Sequence, residues 1–242
     1  MNQIEKRELL FDGNEKQIFA TDQPDKVIIH YKDVTTAYGG IKRARFKGIG
    51  CLNNKISAIL FTELEKAGLE THFLGLVGER EQLCRRIAWV DLVAVCHNRV
   101  VGSLAHRLGV EEGYTPGNTI VDLRYNTDEL GNPLINDDQA VAIGLVSYDE
   151  LKYIYATVHK ANEVLTELFR NAGISLVDFK MEFGRVPEDG HLIISDELSP
   201  DRCRLWDLET GEQFDKDRFR HDLGDIYQGY EIVLNRLEGK KD

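Results

Sequence analysis

Cysteine is scarce in this chain, and what there is stands badly spaced for chemistry. Cys51, Cys84, Cys96 and Cys203 include no Cys-x-x-Cys pair, which argues against a zinc site and against a disulfide framework. Long apolar runs are missing too. None reaches membrane-spanning length, and the opening Met1-Asn2-Gln3-Ile4-Glu5-Lys6-Arg7-Glu8 has no signal-peptide core. These absences lead us to expect a reduced, cytoplasmic compartment. Basic charge is short as well: 30 Lys and Arg against 41 Asp and Glu give a formal net charge of −11. Only Lys42 to Lys47 forms a basic run, so neither nucleic acid nor an anionic membrane is an expected partner. An anionic small molecule would need a local basic pocket. There is enough apolar material, 42% of 242 residues, for one large domain or for two lobes sharing a cleft.

Strand patterns dominate the first part of the chain. Leu9 to Phe11, Gln17 to Ala20 and Val27 to Tyr31 read as strands, and Gly13-Asn14-Glu15-Lys16 between the first two is either a plain hairpin turn or a short loop over a nucleotide. Asp33 to Lys47 reads as an irregular, mobile loop. From Gly50 to Gly68 the apolar positions Leu52, Ile56, Ile59, Leu60, Leu64 and Ala67 recur with helical spacing, and Gly68 is a stop signal. Thr71 to Gly75 and Glu81 to Ile87 read as strands. The continuous apolar stretch within Asp91 to Asn98 suggests a buried strand running through the N-terminal lobe towards a cleft. Arg99 to Gly109 should turn and close as a short helix, with Gly102-Ser103, Arg99 and Arg107 suited to an anion. Pro116 to Asn136 is mostly loop around a strand at Ile120 to Tyr125. Ser147 with Glu150 forms a capping box ahead of a long amphipathic helix ending at Gly173, and Lys216 to Leu237 reads as one C-terminal helix.

The stretch richest in chemistry runs from Ile174 to Asp207. Asp178, Lys180 and Glu182 alternate with Phe179, Met181 and Phe183, so a strand here has one charged face and one apolar face. Pro187-Glu188-Asp189-Gly190 is a turn, and His191 to Ile194 returns antiparallel into Ser195-Asp196-Glu197. The hairpin brings Asp196 beside Glu182 to within one residue of register. Two carboxylates and an ammonium on one face can seat Mg²⁺ and phosphate oxygens. They also suit a solvated sheet face paired across strands. His97, at the end of the buried strand, suits either a proton acceptor or a satisfied core histidine. Cys96 beside it points to the opposite face, so the two do not make a nucleophile pair. His106, His159 and His221 fall on surface positions of predicted helices.

Three stretches together resemble the SAICAR synthetase (phosphoribosylaminoimidazole-succinocarboxamide synthase) family: Leu176-Val177-Asp178-Phe179-Lys180-Met181-Glu182-Phe183-Gly184; Ser195 to Asp201 with Arg204-Leu205-Trp206-Asp207; and Asp215 to Arg220. Shorter matches in the same order extend the resemblance along nearly the whole chain: Asn53-Asn54-Lys55, Asn98-Arg99 with Gly102-Ser103-Leu104, Arg107-Leu108-Gly109 with Glu111-Glu112-Gly113, and Lys160-Ala161-Asn162. The resemblance implies an α+β fold, two-lobed and related to ATP-grasp and kinase folds. Residues 1–90 would form a β-rich nucleotide-covering lobe, 91–242 a larger α+β lobe, with ATP between them. It further implies an ATP- and Mg²⁺-dependent ligase that activates a substrate carboxylate as an acyl phosphate and joins it to an amine. Catalysis would then be positioning plus cationic screening. By the same resemblance Glu182 and Asp196 hold Mg²⁺, Lys16 and Lys180 serve the nucleotide, and Ser103, Arg99, Arg204, His97 and Asp178 face the second substrate. Lys180, Asp196 and His97 stand closest to the chemistry. Small-molecule carboxylate and amine partners follow, and the apolar content permits a homo-oligomer.

Departures from the family pattern cluster where substrates would lie. A Gly-Lys-x-Lys opening is Gly13-Asn14-Glu15-Lys16 here, one cation short and one acid richer. An acidic glycine-rich loop becomes Val34-Thr35-Thr36-Ala37-Tyr38-Gly39-Gly40, and Glu-x-x-Val-Arg-Asn becomes Val93-Ala94-Val95-Cys96-His97-Asn98. A Lys-x-Asp pattern reads Asn126-Thr127-Asp128, and Asp-Pro reads Asn132-Pro133. Histidine for arginine gives up a bidentate fork and makes the charge depend on pH. Beside an intact hairpin, such changes point to a paralogue with a different carboxylate or amine; the alternative is a non-catalytic nucleotide-binding pseudoenzyme or regulatory partner.

Overall fold

The computed structural model describes residues 4–240. Strands β1 (Lys6–Asp12), β2 (Lys16–Thr21) and β3 (Lys26–Tyr31) form an antiparallel meander. The segment expected to be a loop is a second hairpin, β4 (Val34–Ala37) and β5 (Lys42–Arg45). Its sequence lacks an apolar face, so tertiary bonds hold it: Tyr38 Oη donates to the Arg220 carbonyl at 2.9 Å and Lys42 Nζ to that of Phe219 at 2.5 Å. Helix α1 (Ile49–Lys66) follows, then β6 (Phe73–Gly78) and β7 (Glu81–Arg85), which complete a five-stranded sheet of order β1-β2-β3-β7-β6.

Strand β8 (Ala88–His97) leaves that sheet. The sequence suggested a strand through the N-terminal lobe; instead β8 is the inner strand of a second sheet. Its continuous apolar stretch fits a strand covered on both faces, but the identity of its neighbours is a long-range matter. After α2 (Ser103–Leu108) come β9 (Ile120–Tyr125), β10 (Leu134–Ile135), α3 (Asp137–Ala142) and α4 (Tyr148–Asn171). The capping box at Ser147 and Glu150 is present, each side chain bonded to the other residue's backbone N–H. β11 (Ile174–Arg185), β12 (Leu192–Ser195) and β13 (Cys203–Asp207) complete the sheet in the order β10-β9-β8-β11-β12, with β13 sharing the far edge of β11. Gly184 sits where the β8–β11 register slips, and a Cβ there would meet Ile87 Cδ1 at 2.1 Å.

The predicted C-terminal helix is two helices, α5 (Asp217–Arg220) and α6 (Ile226–Leu237). Asp222 and Gly224 adopt positive φ between them, and Asp225 caps α6 by accepting from Tyr227 N at 2.9 Å. Leu223, counted in the helical stripe, is exposed.

One large core holds the molecule together. Phe179, Met181 and Phe183 of β11 join Leu60, Phe61 and Leu64 of α1 and Ile154, Val158 and Leu165 of α4, all buried. Each such side chain contributes about 1.5–3 kcal/mol by leaving water. Because α1 and α4 cover this face, the opposite face of β11 is left for Asp178, Lys180 and Glu182. Among the described residues no helix is long and apolar enough to cross a membrane.

Candidate active site

Register places the site. Asp178 pairs with His97 across β8 and with Arg204 across β13, Lys180 with Val95, and Glu182 with Val93 and Ser195. Directly opposed residues share a face, so His97, Asp178 and Arg204 form one row, and Lys180 and Glu182 head the next two. Asp122 and Arg124 of β9, opposite Val95 and Val93, extend the same face. It is not a solvated surface: Asp178, Glu182, His97 and Asp196 are all buried.

At one end of this face Glu182 and Asp196 are tied by one cation. Arg202 Nη2 lies 3.2 Å from Glu182 Oε1 and 2.6 Å from Asp196 Oδ2. Lys16, from the start of β2, pairs with Asp196 and stands 3.1 Å from Glu197 Oε1. Burial opposes charge on every member. In Asp196 the attraction of Arg202 and Lys16 outweighs it and holds the carboxyl well below the usual range. In Glu182 burial wins, reinforced by repulsion from Asp196, and its pKa rises. Glu197 is raised for the same reasons. Asp196 has φ 62°, a left-handed conformation that Asp tolerates better than most residues but at some cost.

Lys180 stands beside this cluster, its N–H donating to the Arg202 carbonyl at 2.9 Å. Burial and the neighbouring Arg202 and Arg220 lower its ammonium to about 8. At the other end Arg204 donates to Asp178 Oδ2 at 2.6 Å and to Asp217 Oδ2 at 2.7 Å. Its guanidinium lies against Gly102, where a Cβ would come within 3.5 Å of Nη2, so Ser103 at the start of α2 adjoins it. Arg99 stacks over Trp206 with its Cζ 6.0 Å from the ring. The structure thus gathers Lys16, Glu182 and Asp196 at one end, His97, Asp178 and Arg204 at the other, sets Lys180 between, and brings Ser103 and Arg99 to the second end. Cys96 is buried on the opposite face, its thiol pushed up to about 12.

Several participants escaped the sequence reading. Arg202, the cation joining the hairpin carboxylates, falls between the two quoted stretches Ser195 to Asp201 and Arg204 to Asp207 and off any periodic pattern. His72 is buried and faces the Asp196 carbonyl at 3.0 Å. Glu15, which looked like an added acid in the first turn, accepts from Thr36 N and Oγ1 at 2.8 Å and from Lys216 at 2.6 Å. With Glu197 and Asp201 it forms a tight acidic group into which Lys216 already reaches.

A charged sheet face lined by hairpin carboxylates and basic side chains suits phosphoryl transfer between anions, and the family match and the relatives below make the class an ATP-dependent ligase that joins a carboxylate to an amine. The family model described as SAICAR synthetase matches residues 9–237, and the chain belongs to that family. It is 47% identical to a phosphoribosylaminoimidazole-succinocarboxamide synthase of Clostridium acetobutylicum, over 98% of this chain and 100% of the relative. To the synthase of Fusobacterium nucleatum it is 48% identical, again over 98% and 100%. Among solved structures, the Ehrlichia chaffeensis enzyme superposes with a TM-score of 0.94 at 38% identity, covering 97% of this chain and 100% of that one. A SAICAR synthetase in complex with ADP superposes at 0.93 with 42% identity, covering 97% and 99%.

Proposed function

We propose that the chain uses ATP and Mg²⁺ to convert a substrate carboxylate into an acyl phosphate, which an amino-acid amine then captures as an amide. The γ-phosphoryl group passes to a carboxylate oxygen and ADP leaves. The amine attacks the acyl carbon, phosphate departs, and the amine gives up a proton. Either the SAICAR synthetase pair, a phosphoribosylaminoimidazole carboxylate with aspartate, or a related pair serves as substrate. In this reading residues 1–90 cover the nucleotide and 91–242 carry the rest of the site.

The observation that carries the reading is the cluster of Glu182, Asp196 and Glu197, three buried carboxylates that among the described residues meet only two cations, Arg202 and Lys16. Two buried carboxylates already share one cation, yet Glu182 is still raised by burial and by Asp196. With Glu197 counted, acid exceeds base here, a balance that suits an oxygen-preferring divalent ion. Glu182 and Asp196 would hold Mg²⁺, which would supply positive charge to the phosphate oxygens. Lys16 and Lys180 would face the phosphates, Lys180 orienting the transferred group. Ser103, Arg99 and Arg204 would receive the anionic part of the carboxylate substrate, with Asp178 and His97 beside it. Lys16 would exchange its present carboxylate partners for phosphate.

The test is release of ADP from ATP with Mg²⁺, the phosphoribosylaminoimidazole carboxylate and aspartate. We expect turnover that needs all four and falls to background in Glu182→Ala and Asp196→Ala. ADP from another carboxylate or amine, with none from this pair, identifies a shifted substrate. Stabilisation by ATP without ADP from any pair defeats the reading in favour of a nucleotide-binding module. The chain is further proposed to work in the cytoplasm on small molecules, without nucleic acid or membrane, and to have exposed apolar side chains enough, such as Phe11 and Leu76, for a homo-oligomer.

A further inference from the structure

His97 is buried at 5% exposure, yet neither ring nitrogen makes a hydrogen bond. Nε2 lies 3.4 Å from Asp122 Oδ2 and Nδ1 lies 3.6 Å from Asp178 Oδ2. The imidazole is thus wedged between two carboxylates from the strands on either side of its own, closing on neither. Each carboxylate has its own arginine: Arg107 of α2 on Asp122, and Arg204 of β13 on Asp178. Arg204 also holds Asp217, and Asp217 holds Arg220.

The result is an unbroken row, Arg107–Asp122–His97–Asp178–Arg204–Asp217–Arg220, running from α2 across four strands to α5. Its three arginines and three aspartates cancel. The row is therefore neutral when the imidazole is neutral and carries one positive charge when it is protonated. His97 is the member of the row that changes charge near neutral pH, and Arg204, joined to it through Asp178, adjoins Ser103 through Gly102.

We propose that His97 is a specificity-determining residue that sets the charge of this row and so makes binding of the carboxylate substrate's phosphate depend on pH. This rests on the reading above, that Ser103, Arg99 and Arg204 receive that phosphate. The groups facing His97 pull in opposite directions, and Lys180 of β11, on the same face, adds to the cations. Asp122 from β9 and Asp178 from β11 favour the imidazolium, while Arg107 from α2, Arg204 from β13 and Arg99 further along its own chain oppose it. Burial opposes it too. The balance lies with the carboxylates, and the pKa is raised above its ordinary value. A bound phosphate adds negative charge beside the row and raises it again; by linkage, protonated His97 then strengthens binding of the phosphate. A permanently charged arginine at this position would give the row the same charge at every pH. Histidine makes the hold conditional.

The measurement is an NMR titration of the His97 imidazole in the full chain, with and without ribose 5-phosphate, the signal assigned by its loss in His97→Gln. Between about pH 7 and about pH 9 the probe's phosphate is at least about nine-tenths dianionic, so a tenfold change in affinity comes from the protein. We expect the probe to raise the His97 pKa by about one unit, with affinity falling about tenfold as the imidazole loses its proton. In His97→Gln affinity should start at the low, high-pH value and in His97→Arg at the high one, each varying only with the loss of the Lys180 ammonium, lowered to about 8, that all three proteins share. A His97 signal that ignores the probe, no binding of the probe at either pH, or a glutamine variant that follows the wild-type profile would each overturn the proposal. Turnover is read separately: KM for the carboxylate substrate should rise with pH at nearly constant kcat. If no substrate pair releases ADP, the proposed reaction falls while the binding and NMR measurements still decide the role of His97.

Discussion

At the scale of single residues, the site rests on charges that neutralise one another imperfectly, and Asp196 shows it most clearly. It occupies a left-handed backbone conformation at φ 62°, its side chain lies between Arg202 and Lys16, and its carbonyl accepts from His72. Asparagine tolerates the same conformation, so Asp196→Asn removes the charge without adding backbone strain. Lys16 and Arg202 retain Glu197 and Glu182 as partners in that variant. We therefore expect Asp196→Asn to fold with a stability change of no more than about 2 kcal/mol, while ADP release drops by a factor on the order of 100 or more. Urea denaturation alongside the ADP assay checks both halves. A variant that loses stability but keeps its rate would show that the residue serves the fold and not the chemistry.

At the scale of elements, Asp207 closes β13 and begins the turn that follows. Its carboxylate accepts from Glu209 N at 3.0 Å and Thr210 N at 2.7 Å, and pairs with Arg236 of α6 at 2.8 Å. Backbone donors at the turn pull the carboxyl down to about 2. A depressed carboxyl contributes stability that is present above its unfolded value near 4 and is lost as pH falls towards the folded one. Screening at the surface reduces the gain. Asp207→Asn should cost about 1–2 kcal/mol at pH 7, with the deficit shrinking from about pH 4 downwards in urea melts; a constant deficit would remove the electrostatic account. Other elements were legible because their signals are local: strand alternation in β11, helical spacing in α1, the Ser147 box of α4. The β4–β5 hairpin was not, since Val34 to Arg45 carries no apolar stripe and is held by the ends of α5. The break between α5 and α6 was hidden by Leu223, which keeps the helical spacing but lies in solvent, although Gly224-Asp225 is a helix-start signal. Within the site, alternation revealed Asp178, Lys180 and Glu182. The pairing of Arg202 with two carboxylates, and the row through His97, join residues far apart in sequence, and no local pattern records them.

At the scale of the whole molecule, the two sheets meet through charged side chains as well as through α1. Lys16 of β2 reaches Asp196 and Glu197 after β12, and Glu15 beside it reaches Lys216 ahead of α5. The segment before β6 runs along β12, with His72 N donating to the Ile194 carbonyl at 2.9 Å. In the proposed reading these ties lie where ATP and Mg²⁺ bind, so each ligand displaces a partner that the other can replace. ATP alone would draw Lys16 away and strand Asp196 beside Glu182 with less compensation. Mg²⁺ alone would displace Lys16 from its carboxylate with no phosphate to receive it. Together they exchange partners and leave no buried charge unpaired. Binding to the folded state alone stabilises by about 2.7 kcal/mol at a hundredfold excess over Kd, which for a chain of this length corresponds to roughly 5–10 °C in Tm. We expect a shift of that size with ATP and Mg²⁺ together and clearly less than half of it with either one alone. In Lys16→Ala the cooperativity should fall, because Asp196 is then open to Mg²⁺ before any nucleotide arrives. Equal and additive shifts in the native chain would mean that these ion pairs do not couple the two ligands.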